Sequence, residues 1–457
     1  MTAISPSPLE AEPALRKKSP DVASFDVDGR RRWRRLAWRI LPLVLVALGL
    51  RAMVAWSLPL DATDAIRECA PDERGHLDIV QLIAAGEVPS WPANTTSAYA
   101  ALSPAPYFMH AVFYALGQHL AHVGRLYRFP PRTPAGDGYL FARAGSVVLG
   151  VLTVLFLAAS AYVWTGAVGV ALNTATVATL YPQLVFLGGY SNADSFTIAA
   201  GALVVLTLAR WARAGESAYG LAPLAFALGL VVLGKPSGHF LLLTTGGWVG
   251  AMAVAGRIER DAWLRAIAVF LATCVPLLAW NAWRNDGDVL GLEHYAQWLA
   301  SLRHPFVPGT AVPDAVRLFV EWLMLSSFGV FRNLDLHLPL TLYVVAFAFL
   351  LVGLVVGARR VRDADATDRH GILWLAASCL VNLGLVVYNC WFVSFSPQGR
   401  YVLLMVVLLT AIAVSAPSGG ARHGFWRVWP YLYGTLLALS VLWAIALIYA
   451  NPCVATA

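Results

Sequence analysis

Charged residues are scarce in this chain of 457 residues. They make up 13 % of the sequence, against about 25 % in a typical soluble domain, while hydrophobic residues reach 58 % and the mean hydropathy is +0.64. This balance excludes a soluble globular enzyme. The dyad alternation over segments of about 10 residues that marks a membrane β-barrel is also missing. Of these classes of protein, only a helical membrane protein is consistent with the composition.

Cysteine is also sparse, and its spacing excludes two further classes. The five cysteines are scattered without a CxxC or a Cys/His ligand pattern, which argues against a zinc site or a disulfide framework. The net charge is +7, but the arginines lie beside apolar runs, where they set membrane orientation. A nucleic-acid partner is therefore not expected.

The apolar residues gather into runs close to the roughly 20 residues that cross a bilayer. We predict an all-α, polytopic membrane protein with about eleven transmembrane helices, and with juxtamembrane helices in a large first extracytoplasmic loop. The predicted spans are 40–58, 140–164, 167–187, 194–211, 219–234, 236–255, 266–283, 338–357, 371–393, 400–416 and 429–450.

The flanking charges predict how the chain is organised. Residues 1–38 end in a run of arginines, and they indicate a basic cytoplasmic tail before a transmembrane domain over 39–450. The extracytoplasmic segments are expected to be the first loop, the long loop and a short tail, at 59–139, 284–337 and 451–457. The location predicted is the inner (plasma) membrane.

The segment 104–122 is as long as a span but carries several polar side chains. If it crossed the membrane, the later short arginine-rich loops would face outward. If it is juxtamembrane or re-entrant, those loops fall on the side of the basic tail. The positive-inside rule favours the second arrangement.

The first loop contains an acidic pair, Asp72 and Glu73, directly after Pro71. Pro71 is placed to open a helix, whose first turn favours negative charge. His76, four residues after Asp72, would share its helix face. A helix cap and a functional acidic site are both consistent with this pattern.

Other polar groups stand at the same predicted membrane side. Asn192 and Asp194 precede an apolar run, where an acidic residue is costly unless it has a partner. Asp194 is a candidate for binding a metal, an acceptor hydroxyl or a basic partner. Lys235 and Arg400 flank other runs, and together they could bind a phosphate as a point charge and a bidentate fork. Such a pair indicates an anionic lipid or lipid-linked substrate.

In order and sidedness, these elements resemble the C-type glycosyltransferase superfamily, integral membrane enzymes that take a sugar from a polyprenyl-phosphate carrier. The matching pieces are Asp72-Glu73 with His76, the proline-introduced helix with Tyr107, the Asn192 to Asp194 element, Lys235, and the turn Gln398-Gly399-Arg400-Tyr401. This turn, together with the Asn285 to Asp288 stretch and the Ser327-Phe328-Gly329 segment, most resembles an uncharacterised bacterial branch related to the protein-mannosyl and aminoarabinose transferases.

The resemblance implies a hexosyl- or pentosyltransferase that acts on the extracytoplasmic side with inversion. Asp72 would be the general base and Glu73 a second catalytic carboxylate, while Lys235 and Arg400 would bind the donor phosphate. His76, Asn192 and Asp194 would orient the acceptor or a divalent metal, Mg²⁺ or Mn²⁺, and the resemblance implies no other cofactor. The supporting residues would be Tyr107, Gln398 and Tyr401.

The expected partners are a polyprenyl-phosphate-linked sugar, membrane lipids, and a lipid, glycan or protein acceptor. Two alternatives stay open. A lipid-linked glycan polymerase or ligase would use outer-loop arginines on the same carrier. A lipid flippase or transporter would bury ionisable residues in the middle of its spans.

Overall fold

The computed structural model is almost entirely helical. It describes residues 27–58, 70–122, 138–214, 218–301, 312–332, 335–361, 366–393, 395–415 and 424–450. The predicted tail at 451–457 lies outside these residues, as does most of the tail at 1–38. Chain contacts divide the protein into Met1–Pro42 and Leu43–Ala457, and the second unit holds the site considered below.

Sixteen helices follow one another along the described residues. They are α1 (Val27–Ser57), α2 (Glu73–Ala84), α3 (Ala105–His122), α4 (Gly138–Thr165), α5 (Val168–Leu180), α6 (Pro182–Leu187), α7 (Asp194–Ala214), α8 (Ala218–Val232), α9 (Gly247–Val254), α10 (Arg260–Arg284), α11 (Leu292–Ser301), α12 (Val312–Phe328), α13 (Leu340–Val361), α14 (Ala366–Tyr388), α15 (Leu403–Ser415) and α16 (Gly424–Ala450). An antiparallel pair, β1 (Val330–Phe331) and β2 (Leu336–His337), connects α12 to α13, with Val330 opposite His337.

Within the described residues, seven helices are long and apolar enough to cross a membrane. They are Arg31–Ser57, Gly138–Thr165, Asp194–Arg213, Arg260–Arg284, Leu340–Ala358, Asp368–Val393 and Phe425–Ala450. Three shorter apolar helices join them, at Val168–Leu180, Gly220–Val232 and Leu403–Ser415. Large apolar side chains are exposed along these helices, as a lipid-facing surface requires. The predicted all-α polytopic fold is confirmed.

Two predicted spans are interrupted in the structure. The run at 167–187 breaks between α5 and α6, because Pro182 has no N–H to continue the helix. The run at 236–255 consists of a 3₁₀ turn at Pro236–Gly238, a π-helical turn at Leu242–Gly246 and the eight residues of α9. The hydroxyl of Thr245 in the π-helical turn accepts a 3.0 Å hydrogen bond from Trp374 of α14.

The ambiguous segment 104–122 forms α3, which is not among the seven membrane-length apolar helices. It packs closely against the beginning of α4. His110 makes a 2.9 Å hydrogen bond to Ser146, and a Cβ atom at Gly145 would lie 2.8 Å from the His110 ring. Glycine at this position therefore permits the close approach of the two helices.

An arginine is buried near the end of α1. Arg51 donates hydrogen bonds to the carbonyls of Ala47, at 3.2 Å, and of Ala178, at 3.0 Å. The Ala178 carbonyl lies four residues before Pro182, whose missing N–H leaves it without the usual helix donor. A Cβ atom at Gly150 or Gly188 would collide with the Arg51 side chain. Arg51 thus supplies the hydrogen bond that the Ala178 carbonyl lacks at the break between α5 and α6.

Candidate active site

Four charged side chains from distant parts of the chain meet at one place. Asp72 stands just before α2, Asp194 begins α7, Lys235 follows α8, and Arg400 lies in a 3₁₀ turn, Gly399–Tyr401, before α15. Arg400 Nη2 donates to Asp72 Oδ2 at 2.9 Å, and Lys235 Nζ donates to Asp194 Oδ2 at 3.0 Å. Arg400 Nη1 lies 3.5 Å from Asp194 Oδ2. The charges therefore alternate in sign along one cluster.

The members of this cluster differ in exposure. The side chains of Asp194, Arg400 and Lys235 are 2 %, 6 % and 7 % exposed, whereas that of Asp72 is 34 % exposed. Burial by itself would raise the pKa of Asp72, but the nearby Arg400, Lys235 and His76 outweigh it and lower that pKa below its ordinary value. Asp72 is therefore an ionised carboxylate that a ligand can reach.

The structure places Asp72 differently from the sequence expectation. We expected it within the first turn of a helix, but α2 begins at Glu73 and Asp72 occupies the N-cap position with φ 63°. Aspartate tolerates this left-handed conformation better than most residues. Its side chain makes no capping hydrogen bond and is turned to Arg400 instead.

Several buried polar atoms at the cluster have no hydrogen-bond partner within the described chain. Two belong to the Arg400 guanidinium, namely Nε and Nη1, and the others are His76 Nε2 and the hydroxyls of Tyr190 and Ser191. Such groups are uncommon in folded proteins and cost about 1–3 kcal/mol each when they stay unpaired. Their concentration here indicates a place built for a polar ligand.

His76 lies next to the charged cluster and is fully buried. Its Nδ1 is 2.8 Å from the hydroxyl of Tyr107, and its ring centroid is 4.4 Å from that of Tyr99. Burial, reinforced by the charge of Lys235, lowers the pKa of His76 to about 3. The imidazole is therefore neutral, and Tyr107 contacts it as a supporting residue would.

Glu73 points away from Asp72. Its two carboxylate oxygens accept hydrogen bonds from Arg143 Nε, at 2.8 Å, and from Arg143 Nη2, at 2.6 Å. The backbone N–H of Ser191 also donates to Glu73, at 2.9 Å. The sequence expectation of a catalytic role for both carboxylates is therefore not matched by their placement, because Glu73 is engaged in a buried ion pair. The sequence analysis missed Arg143, which is an ionisable residue inside an apolar helix.

Asn192 closes the turn that leads into α7. Its side-chain oxygen accepts from the N–H of Ser195 at 2.8 Å, and its amide donates to the carbonyls of Leu187 and Tyr190, both at 2.7 Å. These bonds engage both ends of the amide. Asn192 thereby holds Asp194 in the cluster instead of presenting itself to an acceptor.

The turn that carries Arg400 is anchored on two helices. The N–H of Gly399 donates to Ser326 of α12 at 2.7 Å, and the carbonyl of Tyr401 accepts from Asn382 of α14 at 3.1 Å. The Gln398 amide donates to Ser396 at 2.8 Å. A Cβ atom at Gly399 would lie 1.9 Å from the backbone nitrogen of Ser327. Only glycine permits this approach.

A second loop closes the site from the other side. Arg284 donates to the carbonyls of Pro89 and Leu102, and Asn285 donates to the carbonyl of Ala101 at 2.7 Å. These contacts bring α11 against the first loop, so that the ring of Tyr295 lies 5.6 Å from that of Tyr99. Sequence reasoning missed Arg284 and both tyrosines, since a single polar or aromatic residue carries no periodic signal.

The carboxylates do not form a metal site. Within the described ranges, no three His, Cys, Asp or Glu side chains are close enough to hold an ion together. Asp72 and Asp194 each pair through Oδ2 with a cationic side chain, and a divalent ion placed between them would meet the positive charges of Lys235 and Arg400. The donor set thus does not fit the expected Mg²⁺ or Mn²⁺, and no step below passes through a metal.

The fold is similar to those of solved membrane proteins. ArnT from Cupriavidus metallidurans in the apo state is 15 % identical over 91 % of this chain and 74 % of its own, with a TM-score of 0.50. The same protein bound to undecaprenyl phosphate gives 16 % identity, coverage of 91 % and 75 %, and a TM-score of 0.50. The archaeal oligosaccharyltransferase AglB from Archaeoglobus fulgidus, in complex with an inhibitory peptide and a dolichol-phosphate, is 14 % identical over 89 % of this chain and 55 % of its own, with a TM-score of 0.44.

At such identities the ArnT match establishes a shared fold, in agreement with the resemblance to C-type glycosyltransferases. No curated protein sequence matches the chain. A family model described as "Predicted membrane protein (DUF2142)" matches residues 131–409. Because this match covers more than half of the chain, the protein belongs to the DUF2142 family of membrane proteins.

Proposed function

We propose that this protein is a membrane glycosyltransferase that moves one sugar from a polyprenyl-phosphate carrier to a hydroxyl group of a lipid, glycan or protein acceptor. The observation that carries the proposal is the pairing of Asp72 with Arg400. Asp72 is an accessible, ionised carboxylate, and Arg400 is a buried cation whose Nε and Nη1 make no hydrogen bond within the described residues. A base and an anion site therefore lie side by side, as transfer from a phosphate leaving group requires.

The anion site offers donors for a phosphate. Nε and Nη1 of Arg400 make no hydrogen bond within the described residues, and because they lie on different edges of the guanidinium, each can donate separately to a phosphate oxygen. Lys235 adds a second buried cation, linked to Arg400 through Asp194. The similarity in fold to ArnT, which has been solved with undecaprenyl phosphate, supports a lipid phosphate as the ligand class.

The reaction would be a single displacement. The acceptor oxygen attacks the anomeric carbon while the bond from that carbon to the phosphate oxygen breaks. Asp72 takes the proton of the acceptor hydroxyl, and polyprenyl phosphate leaves with the bonding electron pair. Arg400 and Lys235 stabilise the charge that develops on the leaving phosphate. One displacement inverts the configuration at the anomeric carbon.

Sidedness follows from the distribution of arginine. Arg213, at the end of α7, forms an ion pair with Asp368 near the start of α14, so these helix ends share one side. That side also carries the short basic loop with Arg257 and Arg260. Asp194 begins α7 and so lies at the opposite end. By the positive-inside rule the cluster faces the extracytoplasmic side of the inner membrane.

A transporter or flippase would use an ionisable residue within a span. Arg51 is buried in α1, but its hydrogen bonds go to the backbone carbonyls of Ala47 and Ala178. Arg51 therefore replaces the backbone donor that is missing at Pro182. Its burial does not indicate transport.

The test is transfer of radiolabelled sugar from undecaprenyl-phosphate-linked glucose, mannose and arabinose by the protein in vesicles. Asp72→Asn should lower turnover by roughly 100-fold or more, because it keeps the side-chain size but removes the base. Asp78→Asn, in the α2 helix that Asp72 caps but outside the cluster, is the matched control and should retain turnover. Near-normal transfer by Asp72→Asn would overturn the proposed mechanism.

A further inference from the structure

Tyr99 contacts two members of the charged cluster, Asp72 and Lys235, and has no role in the proposed reaction. It lies in a 3₁₀ turn of the first loop, Ala98–Ala101, and is 6 % exposed. Its hydroxyl donates to Asp72 Oδ2 at 3.0 Å, and Lys235 Nζ lies 4.9 Å from the centre of its ring. The centre of its ring also lies 4.4 Å from that of His76 and 5.6 Å from that of Tyr295.

Both hydrogen bonds to the Asp72 carboxylate fall on the same oxygen. Oδ2 accepts from Tyr99 and from Arg400 Nη2, at 3.0 and 2.9 Å. Within the part of the chain that the structure describes, no group donates to Oδ1. Two donors at one oxygen fix the rotation of the carboxylate and leave the other oxygen for a ligand.

The side chain of Tyr99 also contacts Lys235. Lys235 Nζ lies 4.9 Å from the centre of the ring and pairs with Asp194, while Asp72 is bound at the hydroxyl end of the same side chain. The cation–π contact holds the ammonium, and without the ring the nearby charge of Asp72 would compete with Asp194 for it. A direct ion pair there would occupy the carboxylate that the reaction needs.

We infer that Tyr99 is a positioning residue with two separable roles: its hydroxyl fixes Asp72 so that Oδ1 is the oxygen that receives the acceptor proton, and its ring keeps Lys235 on Asp194. This inference rests on the proposed function, since it assigns the atom at which the proton is taken. The groups that face the Asp72 and Tyr99 pair are Arg400, Lys235, His76, Asp194, Tyr295 and Tyr401.

Two substitutions separate these roles. Tyr99→Phe removes the hydroxyl and keeps the ring, so turnover should fall about tenfold and the acid limb of the pH profile should move up by about one pH unit, because a carboxylate loses one charge-assisted donor. Undecaprenyl phosphate should bind as in the wild type. Tyr99→Leu also removes the ring, and it should weaken undecaprenyl phosphate binding about tenfold as Lys235 moves to Asp72.

The matched control is Tyr433→Phe, a buried tyrosine of α16. It loses a hydroxyl of the same kind without a contact to the cluster, and its acid limb should stay in place. If Tyr99→Phe leaves the acid limb where it is in the control, the hydroxyl does not position Asp72. If Tyr99→Leu binds undecaprenyl phosphate like Tyr99→Phe, the ring has no role at Lys235.

A second readout does not depend on transfer. Infrared difference spectra during acid titration, assigned by subtraction of Asp72→Asn, report the protonation of the Asp72 carboxyl directly. Tyr99→Phe should shift this titration upward by about one pH unit relative to wild type. If the wild type transfers no sugar but the shift is present, the proposed function fails and the Tyr99 link stands. An unchanged titration overturns the inference, whatever the activity.

Discussion

Glu73 and Arg143 form a buried bidentate ion pair although 70 residues separate them in the chain. Arg143 also donates to the carbonyls of Ala55 and Leu58 at the end of α1, each at 2.6 Å. Glu73 accepts from the N–H of Ser191 in the loop before α7. One ion pair therefore joins α1, α2, α4 and the segment that leads to Asp194.

Removal of one partner should destabilise the fold more than it alters chemistry. Glu73→Gln leaves the Arg143 charge buried without its carboxylate, and we expect a loss of about 3 kcal/mol or more in the free energy of unfolding. Asp368→Asn, which breaks the half-exposed pair with Arg213, should cost below about 1 kcal/mol. Thermal unfolding in detergent measures both. If Glu73→Gln leaves the free energy of unfolding nearly unchanged, the pair with Arg143 does not hold the site together.

The guanidinium of Arg400 should matter more than its charge alone. Arg400→Ala and Lys235→Ala should each weaken undecaprenyl phosphate binding by roughly 10- to 100-fold, the range expected for charge-assisted hydrogen bonds. Arg400→Lys should recover only part of this loss, since an ammonium lacks the planar set of donors by which the guanidinium contacts Asp72 and a phosphate together. Arg213→Ala, at the other ends of the helices, serves as the control. Unchanged affinity in both alanine variants would assign these cations to a structural role.

The close approach at Gly399 should be intolerant of any side chain. Gly399→Ala places a Cβ atom against the backbone of Ser327, so the turn must move and Arg400 with it. We expect a stability loss of about 1–3 kcal/mol together with weaker undecaprenyl phosphate binding. Gly384→Ala, in α14, is the comparison, because nothing lies within 4 Å of its added Cβ atom. Equal behaviour of the two variants would contradict the anchoring of the turn.

The buried neutral state of His76 predicts how stability depends on pH. Its pKa is about 3 in the folded protein and about 6.5 in an unfolded chain. Between these values the unfolded chain binds a proton that the folded protein does not, so stability must fall as pH decreases from about 6.5. The melting temperature of His76→Gln should depend less steeply on pH than that of the wild type. Parallel curves from pH 7 to 4 would show that the imidazole is not held neutral.

Membrane sidedness can be tested at exposed positions near the two ends of the transmembrane helices. In a chain whose five cysteines are replaced, single cysteines at Glu87 and Asp286 should react with a membrane-impermeant reagent in intact cells. A cysteine at Glu259, in the basic loop before α10, should be protected until the membrane is permeabilised. The reverse pattern would place the cluster on the cytoplasmic side.

The sequence by itself determined the class of the molecule. Low charge and long apolar runs require helices in a membrane, because only helices or closed barrels satisfy backbone groups there. The costly polar residues at the span edges, Asp72, Asp194, Lys235 and Arg400, were also evident, and the structure brings these four together. The length of an apolar run and the free-energy cost of a charge at its edge both depend on residues that are close in the chain. They can therefore be recognised in the sequence.

Tertiary structure alone decided which partner each group takes. The adjacent carboxylates of Asp72 and Glu73 are equivalent in the sequence, but the left-handed backbone at Asp72 directs one to Arg400, while Glu73 is bound by Arg143. Tyr99 reaches Asp72 only because the first loop folds back over α2. Such pairings depend on contacts between residues far apart in the chain, and local patterns carry no information about them.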